Sequence, residues 1–510
     1  MKTSSLKRFI IVVALFLFSL WISAIWAQTP RILTLEESIN IALGQSYEAK
    51  RLEQSLINSR MNLKAAEASF KSNGQIIFSS LPLFQEGVRQ TPIAGGAFTF
   101  DREKFLNLQG EVFVNQPIAA TDGVFSLVGS MRRFEQTIRS EIQAGPITTE
   151  ISTDITDYNP QLRLQFVQPL FTINRRKTGY QKARLNLENT EQQYSRSQLD
   201  LIFNVSTNFY NLFRAQRQLE IDQERVRQSE NAYRIARLKQ QAGLLPEVEA
   251  LRLEIDLANA RNTASNSDAT LKDLKDAYKI LIGFPITSDI AVVTELDYSP
   301  IEVSEQEALA EALKRRTELR SDEIAVELSE ISVRETDSQS EIVGELSLRY
   351  GIFKVAEEFK DAFQDFDNDR SVRLSLNVPL WDWGKNSAEV QAAEASLNTS
   401  RLAKTNRIDE IKREIRKIVR NLQSARQRVE ITRRSEELAQ KSYRISLLKF
   451  ESGDLNSQDL ALEQNRLTQA RLNSLDAMID YKQSLADLHR KTLWDFEKNQ
   501  PVEIRIPEGK

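Results

Sequence analysis

The chain matches itself at one ungapped offset. Asn231-Ala-Tyr-Arg-Ile-Ala-Arg-Leu-Lys-Gln-Gln-Ala-Gly243 aligns with Lys441-Ser-Tyr-Arg-Ile-Ser-Leu-Leu-Lys-Phe-Glu-Ser-Gly453, 210 residues on. The same shift carries Leu245 onto Leu455, Leu257 onto Leu467 and Ala260-Arg261 onto Ala470-Arg471. Far upstream it carries Pro169-Leu170-Phe171 onto Pro379-Leu380-Trp381. One offset held over roughly 100 residues means that each half contains the same element at the same length. The half starts also match, Thr34-Leu35-Glu36-Glu37 with Ser304-Glu305-Gln306-Glu307, but 270 residues apart. The first repeat therefore carries an insertion of 60 residues between Asn73 and Pro160.

The constant element is a long helix. Gly (17) and Pro (13) are scarce in 510 residues, and 27% of the chain is charged. No Gly or Pro interrupts 175–242 or 385–452 after the first few residues. At ~1.5 Å per residue each helix would be about 100 Å long. Leu199, Ile202, Val205, Phe209 and Leu212 step by three and four, as do Ile408, Ile411, Ile415, Ile418 and Leu422. Such spacing marks a coiled-coil seam. Gly243 and Gly453 supply left-handed helix ends, and shorter helices return to about Gly283 and Trp494. Each half thus ends in a helical hairpin whose tip is far from the strands. At the half starts, Thr34 with Glu37 and Ser304 with Glu307 form capping boxes. The helices they open are expected to run to about Ser72 and Ser338.

The strands follow a different period. In 371–378, Val372, Leu374, Leu376 and Val378 alternate with Ser371, Arg373, Ser375 and Asn377. In 342–350, Ile342, Leu346, Leu348 and Tyr350 share one face. Leu162, Leu164 and Phe166 alternate with Arg163 and Gln165, whereas the strand near 75–83 is less regular. Period two fits a half-buried sheet over a soluble core, or a membrane barrel with its apolar face to lipid. Strands of about ten residues suit a tilted crossing. Phe171, Trp381 and Trp383 stand just past strand ends, where an aromatic belt would lie. This gives four regular strands per chain unless the insertion, with strand-like pieces such as 111–115, adds more. Four strands cannot close a barrel, so several copies would have to share one.

Composition narrows the chemistry. Zero Cys removes disulfides, thiol catalysis and thiolate metal sites. One histidine, His489, removes a multi-histidine metal cage. A net charge of −3 gives no sign of a nucleic-acid binder. Lys2, Lys7 and Arg8 precede an apolar run from Phe9 to Trp21, and Ala27 stands before a cleavage position, the layout of a signal peptide. Losing those three positive charges takes 68 against 71 to 65 against 71, or −6. No later run of 18 uncharged apolar residues is present, so any membrane crossing falls to strands.

The two-fold repeat, the Thr34-Leu-Glu-Glu-Ser start, the Pro379-Leu-Trp-Asp-Trp-Gly384 strand ending and the two Gly turns together resemble the TolC family of outer-membrane efflux proteins. The resemblance runs from about Thr34 to Trp494. It implies a mainly α protein with a membrane β part: a trimer whose 12-stranded barrel continues into an α-helical tunnel through the periplasm. The implied boundaries are a signal at 1–27, repeats at 28–299 and 300–496, and a tail at 497–510. The implied partners are two further copies, a periplasmic adaptor, an inner-membrane pump or ABC exporter as in type I secretion, and outer-membrane lipid, with no nucleic acid, cofactor, metal or enzymatic activity. Gly243, Leu244, Leu245, Gly453, Asp454 and Leu455 become tip and docking candidates. Tyr233, Arg234, Lys239, Tyr443, Arg444 and Lys449 become gate candidates, holding neighbouring hairpins together. Pro169, Phe171, Pro379, Trp381 and Trp383 mark the strand-to-helix junctions. One departure stands out: Pro169-Leu-Phe-Thr-Ile-Asn174 lacks the Asp-x-Gly ending, which leaves the first junction's geometry open.

Two other readings compete. A periplasmic coiled-coil adaptor or scaffold explains the helices but not the alternating strands. An enzyme would have to use the carboxylates Asp365, Asp367 and Asp369 near Glu357 and Glu358, which fit a solvated acidic loop better than a calcium site.

Overall fold

The computed structural model describes residues 31–92, 98–144, 147–293, 298–338, 342–502, 504 and 506–507; the expected signal segment lies outside them. In chain order the elements are β1 (Arg31–Leu33), α1 (Leu35–Gln45), α2 (Tyr47–Ala68), β2 (Asn73–Pro92), β3 (Phe98–Pro117), β4 (Val124–Ala144), β5 (Ile147–Leu170), α3 (Arg175–Gln241) and α4 (Glu247–Ile282). Then come β6 (Ile290–Val292), α5 (Glu305–Arg315), α6 (Thr317–Ser338), β7 (Val343–Phe353), β8 (Asp367–Asn377), α7 (Lys385–Ser452), α8 (Ser457–Thr492), β9 (Trp494–Asp495) and β10 (Gln500–Pro501). They fall into two compact units. One holds the described parts of Met1–Leu56 with Glu191–Arg320 and Thr405–Lys510; the other holds Ile57–Thr190 and Ser321–Lys404.

The first unit is helical, and its core repeats as the sequence does. Leu201, Val205, Phe209 and Leu212 are buried in one cluster. Their counterparts 210 residues on, Ile411, Ile415, Val419 and Leu422, are buried in a second. Ala42 packs into the first and Ala312 into the second, keeping the offset of 270. Each large side chain so buried contributes about 1.5–3 kcal/mol. The duplication is thus a duplication of core positions. A parallel pairing of β1 with β6 seals the first cluster through Leu33 and Val292.

Two expectations for the half starts are corrected. Thr34 closes its capping box, accepting from Glu37 N at 3.1 Å while its own N–H donates to Glu37 Oε2 at 3.0 Å. Ser304 also occupies the cap position but makes no side-chain capping bond. Neither helix runs unbroken. Ser46 has extended backbone (ψ 151°), ends α1 and starts α2, its Oγ accepting from Ala49 N at 3.1 Å. Arg316, also extended, separates α5 from α6. Its buried guanidinium reaches Glu414 at 2.6 Å and the Lys491 carbonyl at 3.0 Å. A buried charge with partners on two other helices fixes that break more firmly than local propensity could resist.

The second unit contains a six-stranded antiparallel sheet in the order β2-β3-β4-β5-β7-β8. The expected count of four strands per chain is therefore corrected to six: the insertion adds the β3–β4 hairpin. β7 and β8 pair with each other over their whole length, and β7 pairs with Gln161–Leu170 of β5. The four strands of the first repeat are about twice as long, with register shifts in β2 around Ser80. Pairing puts Ile76, Val112, Gly129, Leu162 and Ile352 in one row and Val114, Leu127, Leu164 and Tyr350 in the next. These rows and the one through Phe125, Phe166, Leu348 and Val372 make an apolar face. The opposite face carries Glu111, Ser126, Ser130, Gln161, Arg163, Gln165, Arg349, Ser371 and Arg373, with Ile77, Phe113, Val124, Val128, Val167 and Phe353 among its apolar exceptions. The apolar face is exposed, Val372 at 77% and Leu374 at 66%. Exposed apolar rows opposite a polar face are what a barrel wall in lipid requires.

Candidate functional site

The hairpin tips form from the last turns of α3 and α7. Gly243 (φ 70°) and Gly453 (φ 93°) adopt the left-handed conformation. Beyond each, a backbone N–H reaches back, Leu244 to the Lys239 carbonyl at 2.8 Å and Asp454 to the Lys449 carbonyl at 2.9 Å. These bonds satisfy carbonyls left over at the helix ends. The return helices start differently. Asn456 caps α8, accepting from Asp459 N at 2.8 Å. Pro246 precedes α4 without any side-chain cap. Leu244 is exposed, and Leu245 and Leu455 are half-buried beside a cluster of Ala232, Ala236, Ala250, Tyr443, Phe450 and Leu460. Both hairpins contribute to this cluster, so the two tips of one chain pack together.

The gate candidates separate by environment. Tyr443 is buried in the seam; burial, then the Glu224 charge, pushes its phenol up to about 12. Tyr233 is half-buried against the same cluster. Arg234 is exposed and donates to Asn231 of its own helix at 2.7 Å. Arg444 and Lys449 are exposed and form no ion pair among the described residues. Lys239 is the one that crosses: its Nζ donates to the Phe450 carbonyl at 2.6 Å and lies 5.3 Å from the Phe450 ring centroid. A second tie, absent from the sequence reading, runs from Glu249 of α4 to Ser457 of α8. The Ser457 N–H donates to its carboxylate at 3.2 Å, and the hydroxyl donates to the same oxygen. The Asn456-Ser457-Gln458-Asp459 capping pattern was readable in the sequence. The Glu249 contact, 208 residues away, was not.

The two strand-to-helix junctions are built by different means. In the second repeat Asp382 accepts from Gly384 N and Asn386 N, both at 2.9 Å. The Asn386 and Gly384 N–H groups hold its carboxyl below the usual range. Pro379, Trp381 and Trp383 are exposed there, Trp383 with φ 56°. In the first repeat Pro169 sits in the ladder opposite Glu345, and Phe171 has φ 60°. The missing carboxylate comes from the insertion. Asp122, in the turn between β3 and β4, accepts from Arg175 N at 3.2 Å and pairs with the Arg176 guanidinium. Asn174 completes the cap, accepting from Lys177 N at 2.9 Å and donating to the Ala119 carbonyl at 2.8 Å.

Neither region gathers catalytic groups. Asp367 is exposed and Asp369 half-buried in β8, opposite Phe353 and Gly351. His489, Asp495 and Glu497 lie close together in the helical unit, but the Phe496 N–H donates to His489 Nε2 at 3.3 Å. Burial lowers the His489 pKa. That arrangement suits a structural imidazole. Among the described residues no helix is long and apolar enough to cross a membrane.

The sequence profile described as Outer membrane efflux protein matches residues 139–275 and 308–492. No curated protein matches the chain. Among solved structures it is similar to the outer-membrane channel OprN, with a TM-score of 0.66, 13% identity and 90% and 89% of the two chains covered. The outer membrane protein VceC from Vibrio cholerae gives 0.65, with 12% identity and 92% and 97% covered. The Campylobacter jejuni CmeC outer membrane channel gives 0.65, with 14% identity and 92% and 87% covered.

Proposed function

The chain belongs to the outer membrane efflux protein family, and on that premise we propose that three copies form the exit duct of a tripartite efflux or type I secretion system. The family places it in the outer membrane with a periplasmic extension. Cargo enters from an inner-membrane pump or ABC exporter through a periplasmic adaptor and leaves through the shared barrel. The carrying observation is the sheet: an exposed apolar face, a polar face and two unpaired outer strands, β2 and β8, in one chain. Lipid does not tolerate open edges, so the sheet closes only with further copies. We read 28–299 and 300–496 as the two repeats behind a cleaved 1–27, with 497–510 as a tail. The Gly243 and Gly453 turns, with Leu244, Leu245, Asp454 and Leu455, serve as the adaptor dock.

The test is the mass and heat sensitivity of the detergent-extracted outer-membrane fraction, by light scattering and semi-native gel. A complex of three mature chains that dissociates on heating is the expected result. A soluble periplasmic monomer or dimer, released by a salt wash, would overturn the barrel and favour a coiled-coil scaffold.

A further inference from the structure

We infer that the β3–β4 hairpin crosses the membrane with the other strands, so that three chains of six strands close an 18-stranded barrel in which β2 of one copy pairs with β8 of the next. This deepens the proposal above and rests on its shared barrel.

Three observations carry it. The first is facing. Val112 and Val114 of β3 and Leu127 of β4 fall in the same rows as Leu162, Leu164 and Tyr350, while Glu111 and Ser126 fall with Gln161 and Gln165 on the polar face. A hairpin lying outside the membrane, or plugging the lumen, has no reason to keep that parity.

The second is level. Along β4 the apolar series Phe125, Leu127, Gly129 and Met131 gives way on the same face to Arg133, Glu135 and Arg139. On β3 the same face stays apolar further, through Val114, Val112, Gly110, Leu108 and Leu106, before it turns to Lys104 and Arg102. The apolar stretch runs from Phe125 to Met131 on β4 and from Leu106 to Val114 on β3, the latter close to the length of a tilted crossing. It stands at the same height as the part of β5 that pairs with β7. The β3–β4 turn lies at the helix end, where Asp122 binds the start of α3.

The third is edges. β3 and β4 are each paired on both sides, which leaves β2 and β8 as the outer strands. Closing a four-stranded contribution would break a ladder of 19 paired positions between β3 and β4, or of 21 between β4 and β5. Six strands alternate in direction, so β2 and β8 meet antiparallel and close the ring without a mismatch. Barrel diameter grows roughly in proportion to strand number, so the lumen is about half as wide again as one of 12 strands. Such an exit does not sort cargo by size; the helical tips limit passage.

The chain has no cysteine, so single introduced thiols report cleanly. Spin labels are placed on full-length protein in lipid at Val112→Cys and Leu127→Cys, at Glu111→Cys and Ser126→Cys, and at Leu164→Cys and Leu374→Cys. Each variant is first checked for the semi-native oligomer. Labels at 112, 127, 164 and 374 are expected to collide with lipid-dissolved oxygen, and those at 111 and 126 with a water-soluble nickel chelate. Ser371→Cys combined in turn with Asn73→Cys, Gln75→Cys or Ile77→Cys is expected to give an inter-chain disulfide ladder ending at three chains for at least one pair. Lipid exposure at 164 and 374 but not at 112 and 127 overturns the hairpin's crossing and leaves the barrel standing, whereas no cross-link from any of the three pairs overturns the closure of β2 on β8. Loss of lipid exposure at 164 and 374 as well overturns the barrel itself.

Discussion

Asp122 shows how one residue can replace a motif. The second repeat carries its helix-capping carboxylate in line, at Asp382, and the sequence pattern there was readable as a strand-to-helix ending. The first repeat has no acid at that place, and its junction was left open. Its carboxylate arrives from a turn 53 residues before Arg175. A contact of that separation leaves no local pattern beyond the Asp122-Gly123 pair, a turn signal that says nothing of the helix it caps. The Asp122 side chain is nearly buried and meets both a backbone N–H and a guanidinium. Replacing it leaves donors unsatisfied at the positive end of a long helix. Asp122→Ala is expected to cost about 1–2 kcal/mol, read as earlier heat unfolding of the detergent-extracted protein by circular dichroism. Asp122→Asn, which still accepts from Arg175 N but lacks the charge, should recover part of it. An unchanged melting curve for the alanine variant would mean that the Thr121–Gln168 and Asn174–Ala119 bonds hold the turn without it.

Among the elements, the long helices were the most legible and the half starts the least. Helices of 67 and 68 residues, with their Gly ends, follow from an unbroken seam pattern that no tertiary contact has to override. The break at Arg316 has no Gly or Pro and that at Ser46 only Gly44, a helical glycine two residues before it, and what fixes both lies elsewhere in the chain. For Ser46 it is Gly283, whose φ of 76° ends α4 directly against the Gln45–Ser46 backbone. A Cβ at Gly283 would lie 2.6 Å from the Gln45 carbonyl oxygen, whereas one at Gly243 meets nothing within 4 Å. All side chains resist a left-handed φ by about 1 kcal/mol. Only Gly283 adds a backbone overlap that no side-chain rotation relieves. Gly283→Ala is therefore expected to destabilise by more than about 2 kcal/mol and Gly243→Ala by about 1 kcal/mol. Urea unfolding of the two variants side by side checks the order; equal losses would show that the α1–α2 break shifts freely.

At the scale of the whole molecule, duplication and insertion act on different parts. The constant offset of 210 preserves the tip-bearing hairpins, and the insertion enlarges only the sheet. The duplication was legible because it repeats core positions as well as letters. The extra strands were not, because their apolar positions alternate over a pattern interrupted by charges beyond the crossing. At the tips the duplication places two hairpins of one chain side by side, joined by Lys239 to Phe450 and by Glu249 to Ser457. Both ties involve a charged partner, and each is worth about 1–3 kcal/mol in a partly buried place. An opening that separates the hairpins of one chain must break both; an opening that moves them as a pair keeps both. Arg234, bonded within its own helix, distinguishes nothing inside the chain. We expect Lys239→Met with Glu249→Gln to raise single-channel conductance in planar bilayers several-fold, as removing a bias of a few kcal/mol shifts a two-state closure. Arg234→Ala with Arg444→Ala should change it less. The reverse order would place the lock between neighbouring chains, where Arg444 and Lys449 face outward, and the two hairpins of each chain would then move as one body.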